Sequence, residues 1–185
     1  VNLSSISHNF IIYRMTDVML MEAEALTQLA DMQEDEEKLQ QAFELVHAVN
    51  QRAQYPADNV TDIAYANYNS VKSMTELVLA ERLRELCFEG KRWYDLLRYN
   101  YRENAKQGIS TDYTKILADQ DTYIENNSAM LTLMVRTLSG GSAVSAKMKT
   151  EPFLYMPVYE NEMKLNSALR QNPAYSSNNQ FERND

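Results

Sequence analysis

The chain has 185 residues, a formal net charge of −8, 44% hydrophobic residues and 24% charged ones. That length holds one domain with a sizeable core, or two small ones. An acidic balance without a basic run argues against charge-driven binding to nucleic acid or to anionic membrane surfaces.

Four Gly and four Pro, set against abundant Glu, Gln, Ala, Leu and Met, predict a mainly α protein. Cys87 is the single cysteine, so no internal disulfide forms. Its place in a helical apolar run predicts a buried thiol. No run of about 18 apolar residues occurs, so no segment reads as a membrane-spanning helix. The chain opens on Val1 without a signal peptide. That reads as a processed chain or a piece of a longer one.

In chain order, Val1 to Asn9 is a polar lead-in. Thr16 to Ala30 predicts a helix with two neighbouring apolar faces. Val18, Met21, Glu22, Ala25 and Leu29 form one, and Leu20, Ala23, Leu26 and Ala30 the other. A short acidic turn, Asp31 to Asp35, leads to a second helix over Glu36 to Gln54. Its core face carries Leu39, Ala42, Phe43, Val46, Val49 and Ala53. Such a pair, about 13–54, is the unit of helical repeats and is spaced like a tetratricopeptide unit, though no second copy appears at that period. Tyr55 to Lys72 reads as a loop broken by Pro56 and several Asn and Asp residues. Ser73, with Glu76 three residues on, predicts a capping box that opens a central helix over about 73–100. Gly90 within it marks a bend or a close helix contact.

Beyond it, Tyr113 to Leu117 predicts a helical turn, and Asp121 to Leu138 a helix or two short strands. Ser139-Gly140-Gly141-Ser142 is a flexible turn. An extended tail over about 150–185 includes an extended Phe153 to Val158 and one helical turn at Asn161 to Leu165.

Glu81 to Arg98 organises the rest. Leu79, Leu83, Leu86 and Gly90 fall on one helical face. Glu81 reaches Arg84, Arg82 reaches Glu85 and Glu89 reaches Arg92 at i+3. An exposed pair of this kind stabilises by about 0.2–0.5 kcal/mol. That is too little to require so dense a ladder beside Phe88, Trp93 and Tyr94. Glu81, Arg84, Glu85, Glu89 and Arg92, with Trp93 and Asp95, are therefore expected to fix how neighbouring helices dock, some from partly buried positions.

No catalytic residue can be nominated. His8 and His47 are the two histidines, and His47 lies beside a core position. Glu44 and His47 form one Glu-x-x-His pair where a di-metal bundle needs two. Glu81, Glu85 and Glu89 stack at i+4, but the interleaved arginines are simpler partners than a cation. No metal or cofactor is expected. Asn59-Val60-Thr61 matches a glycosylation sequon, a pattern common by chance. The 12 tyrosines leave one binding option: Tyr55, Tyr65 and Tyr68 in the loop as ligand-stacking rings. The competing reading is that these rings pin the loop to the helices.

Three segments together resemble one family. Ile12-Tyr13-Arg14-Met15-Thr16-Asp17-Val18-Met19-Leu20-Met21-Glu22-Ala23-Glu24-Ala25-Leu26 is similar to its Arg-Tyr-Ala-Asp-Val-Leu-Leu-Met-Tyr-Ala-Glu-Ala-Leu helix. Glu81 to Arg98 is similar to its Glu-Arg-Arg-Arg-Glu-Leu-Ala-Phe-Glu-Gly-His-Arg-Trp-Phe-Asp-Leu-Arg-Arg signature. Pro157 to Asn166 and Gln171-Asn172-Pro173-Ala174-Tyr175 resemble its terminal motifs. The family is SusD/RagB, cell-surface nutrient-binding lipoproteins of Bacteroidetes-type bacteria. Lys91, Tyr159 and Ala174 depart from the usual His, Pro and Gly.

The resemblance implies that residues 1–185 are the C-terminal portion of a SusD/RagB-like domain: helical-repeat, tetratricopeptide-like helix pairs with irregular loops. It implies a non-catalytic protein that captures an oligosaccharide or similar nutrient by aromatic stacking and hydrogen bonds. That protein would deliver its ligand to a SusC-like TonB-dependent outer-membrane transporter. It implies an outer-membrane, surface-exposed location through a lipid anchor upstream of this segment. The rival reading is a stand-alone helical module that binds a protein or peptide.

Overall fold

A computed structural model describes residues 12–54, 62–108, 128–135, 155–172 and 175. The regular elements among them are all helical: α1 (Met15–Gln33), α2 (Glu36–Ala53), a 3-10 turn (Tyr65–Asn67), α3 (Val71–Glu85), α4 (Arg92–Lys106), α5 (Ser128–Val135) and α6 (Glu160–Leu165). The mainly α expectation from composition therefore holds. The chain divides into two compact units, residues 1–92 and 93–185. Among the described residues no helix is long and apolar enough to cross a membrane.

In the first unit, α1 and α2 form a hairpin and α3 packs on both. Glu34 takes a left-handed conformation (φ 52°), which ends α1 and sends its N–H back to the Ala30 carbonyl. Asp35 then caps α2: Oδ1 accepts the Glu37 N–H at 3.0 Å, and Lys38 pairs with the same carboxylate. The Lys38 hydrogen bond holds the Asp35 carboxyl below its ordinary range. Two residues thus suffice to reverse the chain. The shared core is Leu20, Ala23 and Ala30 from α1, Leu39, Ala42, Phe43, Val46 and Val49 from α2, and Met74, Leu77 and Val78 from α3. Of the two apolar faces on α1, the one through Leu20, Ala23 and Ala30 is buried. Val18, Met21 and Leu29 of the other are exposed. Ala53 also lies exposed, outside the core face of α2.

Several expectations for the central stretch are corrected. The cap of α3 is Ser70, and Ser73 is its partner at the third helical position, so the helix opens at Val71. The single helix over 73–100 is two helices. α3 stops at Glu85, and residues 86–90 form a turn in which Phe88 (φ 66°) and Gly90 (φ 73°) are left-handed. An L-residue helix cannot run through that conformation. A Cβ at Gly90 would meet nothing within 4 Å, so the glycine serves the backbone angle and no close helix contact. Cys87 sits in this turn and is exposed rather than buried. Leu83 faces outward as well, while Leu79 and Leu86 are buried.

In the second unit, Leu96 and Leu97 of α4 pack with Met130 of α5, and Trp93, Tyr101, Leu133 and Met134 close around them. Asn100 is fully buried and its Oδ1 accepts the Met130 N–H at 3.3 Å. This satisfies one of the donors that the first turn of α5 leaves open. The stretch over 121–138 is thus helical at Ser128–Val135. The tail is tied by side chains. Gln171 brackets Val158, accepting from its N–H and donating to its carbonyl, both at 2.9 Å. Asn172 donates to the Tyr155 carbonyl at 3.1 Å, and the Tyr155 hydroxyl meets that of Tyr101 at 2.7 Å. The expected turn near Asn161 is α6. His8 and the rest of the lead-in, Tyr55, Asn59–Thr61, Tyr113–Leu117, Ser139–Ser142 and Phe153–Leu154 lie outside the described residues.

Candidate functional site

The charge ladder is a tertiary network. Arg82 and Asp17 are both nearly inaccessible, with side chains 2% exposed, and meet at 3.0 Å. Lys91 Nζ lies 3.3 Å from the other Asp17 oxygen, donates to the Ile12 carbonyl at 2.7 Å and sits 4.4 Å from the Tyr13 ring centroid. Arg14, just before α1, binds the Glu85 carboxylate and carbonyl through its terminal nitrogens and donates from Nε to Glu89 at 2.9 Å. It thereby satisfies a carbonyl that the end of α3 leaves open. Arg52 of α2 reaches the same Glu85 carboxylate. Arg92 donates to the Leu79 carbonyl at 3.1 Å. Burial pushes the Glu85 carboxyl up, but hydrogen bonds from Arg14 and Thr16 and the charges of Arg14 and Arg52 outweigh it and hold it below the usual range. The Glu89 hydrogen bond in turn holds the Arg14 guanidinium more firmly protonated.

Of the three i+3 pairs read from sequence, Glu81–Arg84 forms, and Asn50 also donates to Glu81 at 3.0 Å. Arg82 turns to Asp17, while Glu85 and Glu89 turn to Arg14. One oxygen of each of Glu81, Glu85 and Glu89 accepts from a guanidinium group. In the second unit, Trp93 packs on the Leu96 and Leu97 cluster, and Asp95 is buried with Arg98 at 2.7 Å. Arg14, Asp17 and Arg52 were not visible as partners from sequence. Arg14 and Asp17 lie 71 and 65 residues from Glu85 and Arg82, and no local spacing links them.

The loop tyrosines separate. Tyr65 meets Phe43 edge-on at 5.5 Å, and burial raises its hydroxyl pKa, with Glu36 adding to the effect. Tyr68 stacks on Phe43 at 6.4 Å. Both rings therefore pin the loop to α2. Phe43 also stacks on His47, whose Nε2 lies 2.7 Å from Asp62, so that histidine anchors the same loop. Tyr68 has a second face of interest. With Asn50, Gln54, Glu76 and Arg84 it lines a cleft of about 440 Å³ between the end of α2, the loop and α3. Two carboxamides, a carboxylate, a guanidinium and a phenol around apolar Leu77 and Ala80 suit a ligand with many hydroxyls and one apolar face.

Comparison with known proteins agrees with the motifs. The model of the SusD family matches residues 2–175. A SusD-like protein P38 of Formosa agariphila is 37% identical over 93 residues, which is 50% of this chain and 17% of that protein. The match therefore spans about one sixth of that relative's length. No solved structure matches the chain. With a family model covering residues 2–175, the chain belongs to the SusD family.

Proposed function

We propose that this chain is the C-terminal portion of a non-catalytic, cell-surface nutrient-binding protein that takes up a glycan or similar nutrient. The family match over residues 2–175 carries this reading. The proposal extends to delivery into a TonB-dependent transporter of the SusC type, to a lipid anchor at the outer membrane, and to a tetratricopeptide-like role for the α1–α2 hairpin. Within this chain the cleft beside Tyr68 is the proposed contact surface. Its convergent amides and charged groups would bond hydroxyls while Tyr68, Leu77 and Ala80 meet the apolar side of a sugar.

Polysaccharide affinity electrophoresis tests both levels. The natural polypeptide containing these residues and the 185-residue chain are run on a panel of plant, host and microbial glycans. Retardation of the natural polypeptide supports the nutrient-binding role, and its absence on every glycan counts against a sugar ligand. Retardation of the 185-residue chain that is lost in Gln54→Ala and Tyr68→Ala supports the cleft. Equal retardation in both variants removes it.

A further inference from the structure

The polarity of the cleft beside Tyr68 follows from one buried carboxylate behind it. Glu81 is 2% exposed, and its Oε2 accepts from Asn50 Nδ2 at 3.0 Å and from Arg84 Nε at 3.2 Å. A terminal nitrogen of Arg84 donates to the same oxygen. An ionised carboxylate can only accept hydrogen bonds. Asn50 therefore turns its amide nitrogen to Glu81, and its Oδ1 accepts from Gln54 Nε2. Gln54 Oε1 ends this relay as an acceptor for a ligand. The Arg84 side chain is 55% exposed, but the edge of its fork that would grip an anion through two nitrogens is already spent on Glu81. Glu76 lines the same cleft and is exposed, and among the described residues no cation pairs with it. Two carboxylates thus stand against one guanidinium, in a chain whose net charge is −8.

Taking the cleft as the contact surface proposed above, we propose that it selects by charge: it accepts an uncharged, hydroxyl-rich glycan and turns away uronate-bearing, sulfated or other anionic ones. Glu76 is the specificity-determining residue, and Glu81 is a positioning residue that acts through Asn50 and Arg84. A sugar hydroxyl carries both a proton and lone pairs, so it donates to Gln54 Oε1 or to Glu76 and accepts from the N–H groups that Arg84 has left. A carboxylate or sulfate brings acceptors alone. Against Glu76 and Gln54 Oε1 it meets lone pairs with no proton between, and like charges set side by side are costly. The guanidinium that would repay that cost is already neutralised by Glu81. Because Glu76 is exposed, the repulsion is screened by salt, so the selection is sharpest at low ionic strength.

Affinity electrophoresis of the natural polypeptide containing these residues tests it. The probes are amylose, xylan and galactomannan, each as its hydroxyethyl ether and as its carboxymethyl ether of equal substitution, so that each pair shares a backbone and differs in charge. Retardation lost in both Gln54→Ala and Tyr68→Ala reports the cleft. At about 10 mM salt, where the Debye length is about 30 Å, the carboxymethyl ether is expected to bind at least roughly tenfold more weakly than its hydroxyethyl partner, and the gap closes near 1 M. Glu76→Gln narrows the low-salt gap to about threefold or less. Glu37→Gln makes the same change of net charge at the other end of α2 from Asn50 and leaves the gap as it was. Glu81→Gln frees the Arg84 charge and narrows the gap as well; if that variant misfolds, the exposed Glu76 decides. Equal binding of both ethers, tighter binding of the carboxymethyl ether, or an unchanged gap in Glu76→Gln overturns the proposal and leaves the cleft a glycan site. Absence of cleft-dependent retardation by any of the ethers overturns the cleft as contact surface, and the charge selection with it.

Discussion

Arg82→Met is the most informative single change. The substitution keeps the length of the side chain and removes its charge, leaving the Asp17 carboxylate 2% exposed and without its guanidinium. Removing one partner of a buried pair costs about 3–5 kcal/mol, because the remaining charge stays desolvated. Lys91 remains 3.3 Å from the second Asp17 oxygen and offsets part of that loss. The expected cost is therefore about 3 kcal/mol, the low end of the range. With a urea dependence near 1.5 kcal/mol per molar, the unfolding midpoint falls by about 2 M. Urea titration followed by far-UV circular dichroism measures it. The double variant Asp17→Leu, Arg82→Met removes both charges and should recover most of the loss, since an apolar replacement of a whole buried pair is often neutral or better. A single variant within about 1 kcal/mol of the parent, or a double variant as unstable as the single, would refute the reasoning.

Glu85 links stability to pH. Its folded pKa lies below the unfolded value of about 4.3, so its contribution is complete above that value and disappears as pH falls through the folded pKa. Glu85→Gln should be less stable than the parent at neutral pH, with the difference shrinking toward pH 3; a constant gap in urea midpoints between the two conditions argues against the Arg14–Glu85 linkage. Gly90→Ala should destabilise by about 1 kcal/mol in thermal melts, through the left-handed angle alone, because the new methyl group has open space. No change would mean that the turn relaxes. Cys87 should react with a thiol reagent in the native protein within about tenfold of its rate in denaturant, as an exposed thiol does; strong native protection contradicts its place in the turn.

What the sequence alone determined is local. The apolar period over Glu36 to Gln54 marked five of the buried residues of α2, because helical spacing acts within a few residues and needs no knowledge of the rest. The motifs around Arg14, Glu81–Arg98 and Gln171 identified the family in the same way. The period on α1 marked two apolar faces but could not say which one was buried, since that depends on where α2 and α3 lie. Tertiary structure decided the rest. The i+3 rule located Glu81–Arg84, but Arg82 found Asp17, 65 residues away, because the two share a buried position while the i+3 neighbour Glu85 is held by Arg14 and Arg52. Cys87 shared the apolar period of α3 and was still exposed, because two left-handed residues end that period at the turn. A single backbone dihedral leaves little trace in a hydrophobic pattern. Tyr68 could be read from sequence as a pin or as a ligand contact; its stacking on Phe43 and its place beside the cleft follow from how the loop packs against α2 and α3.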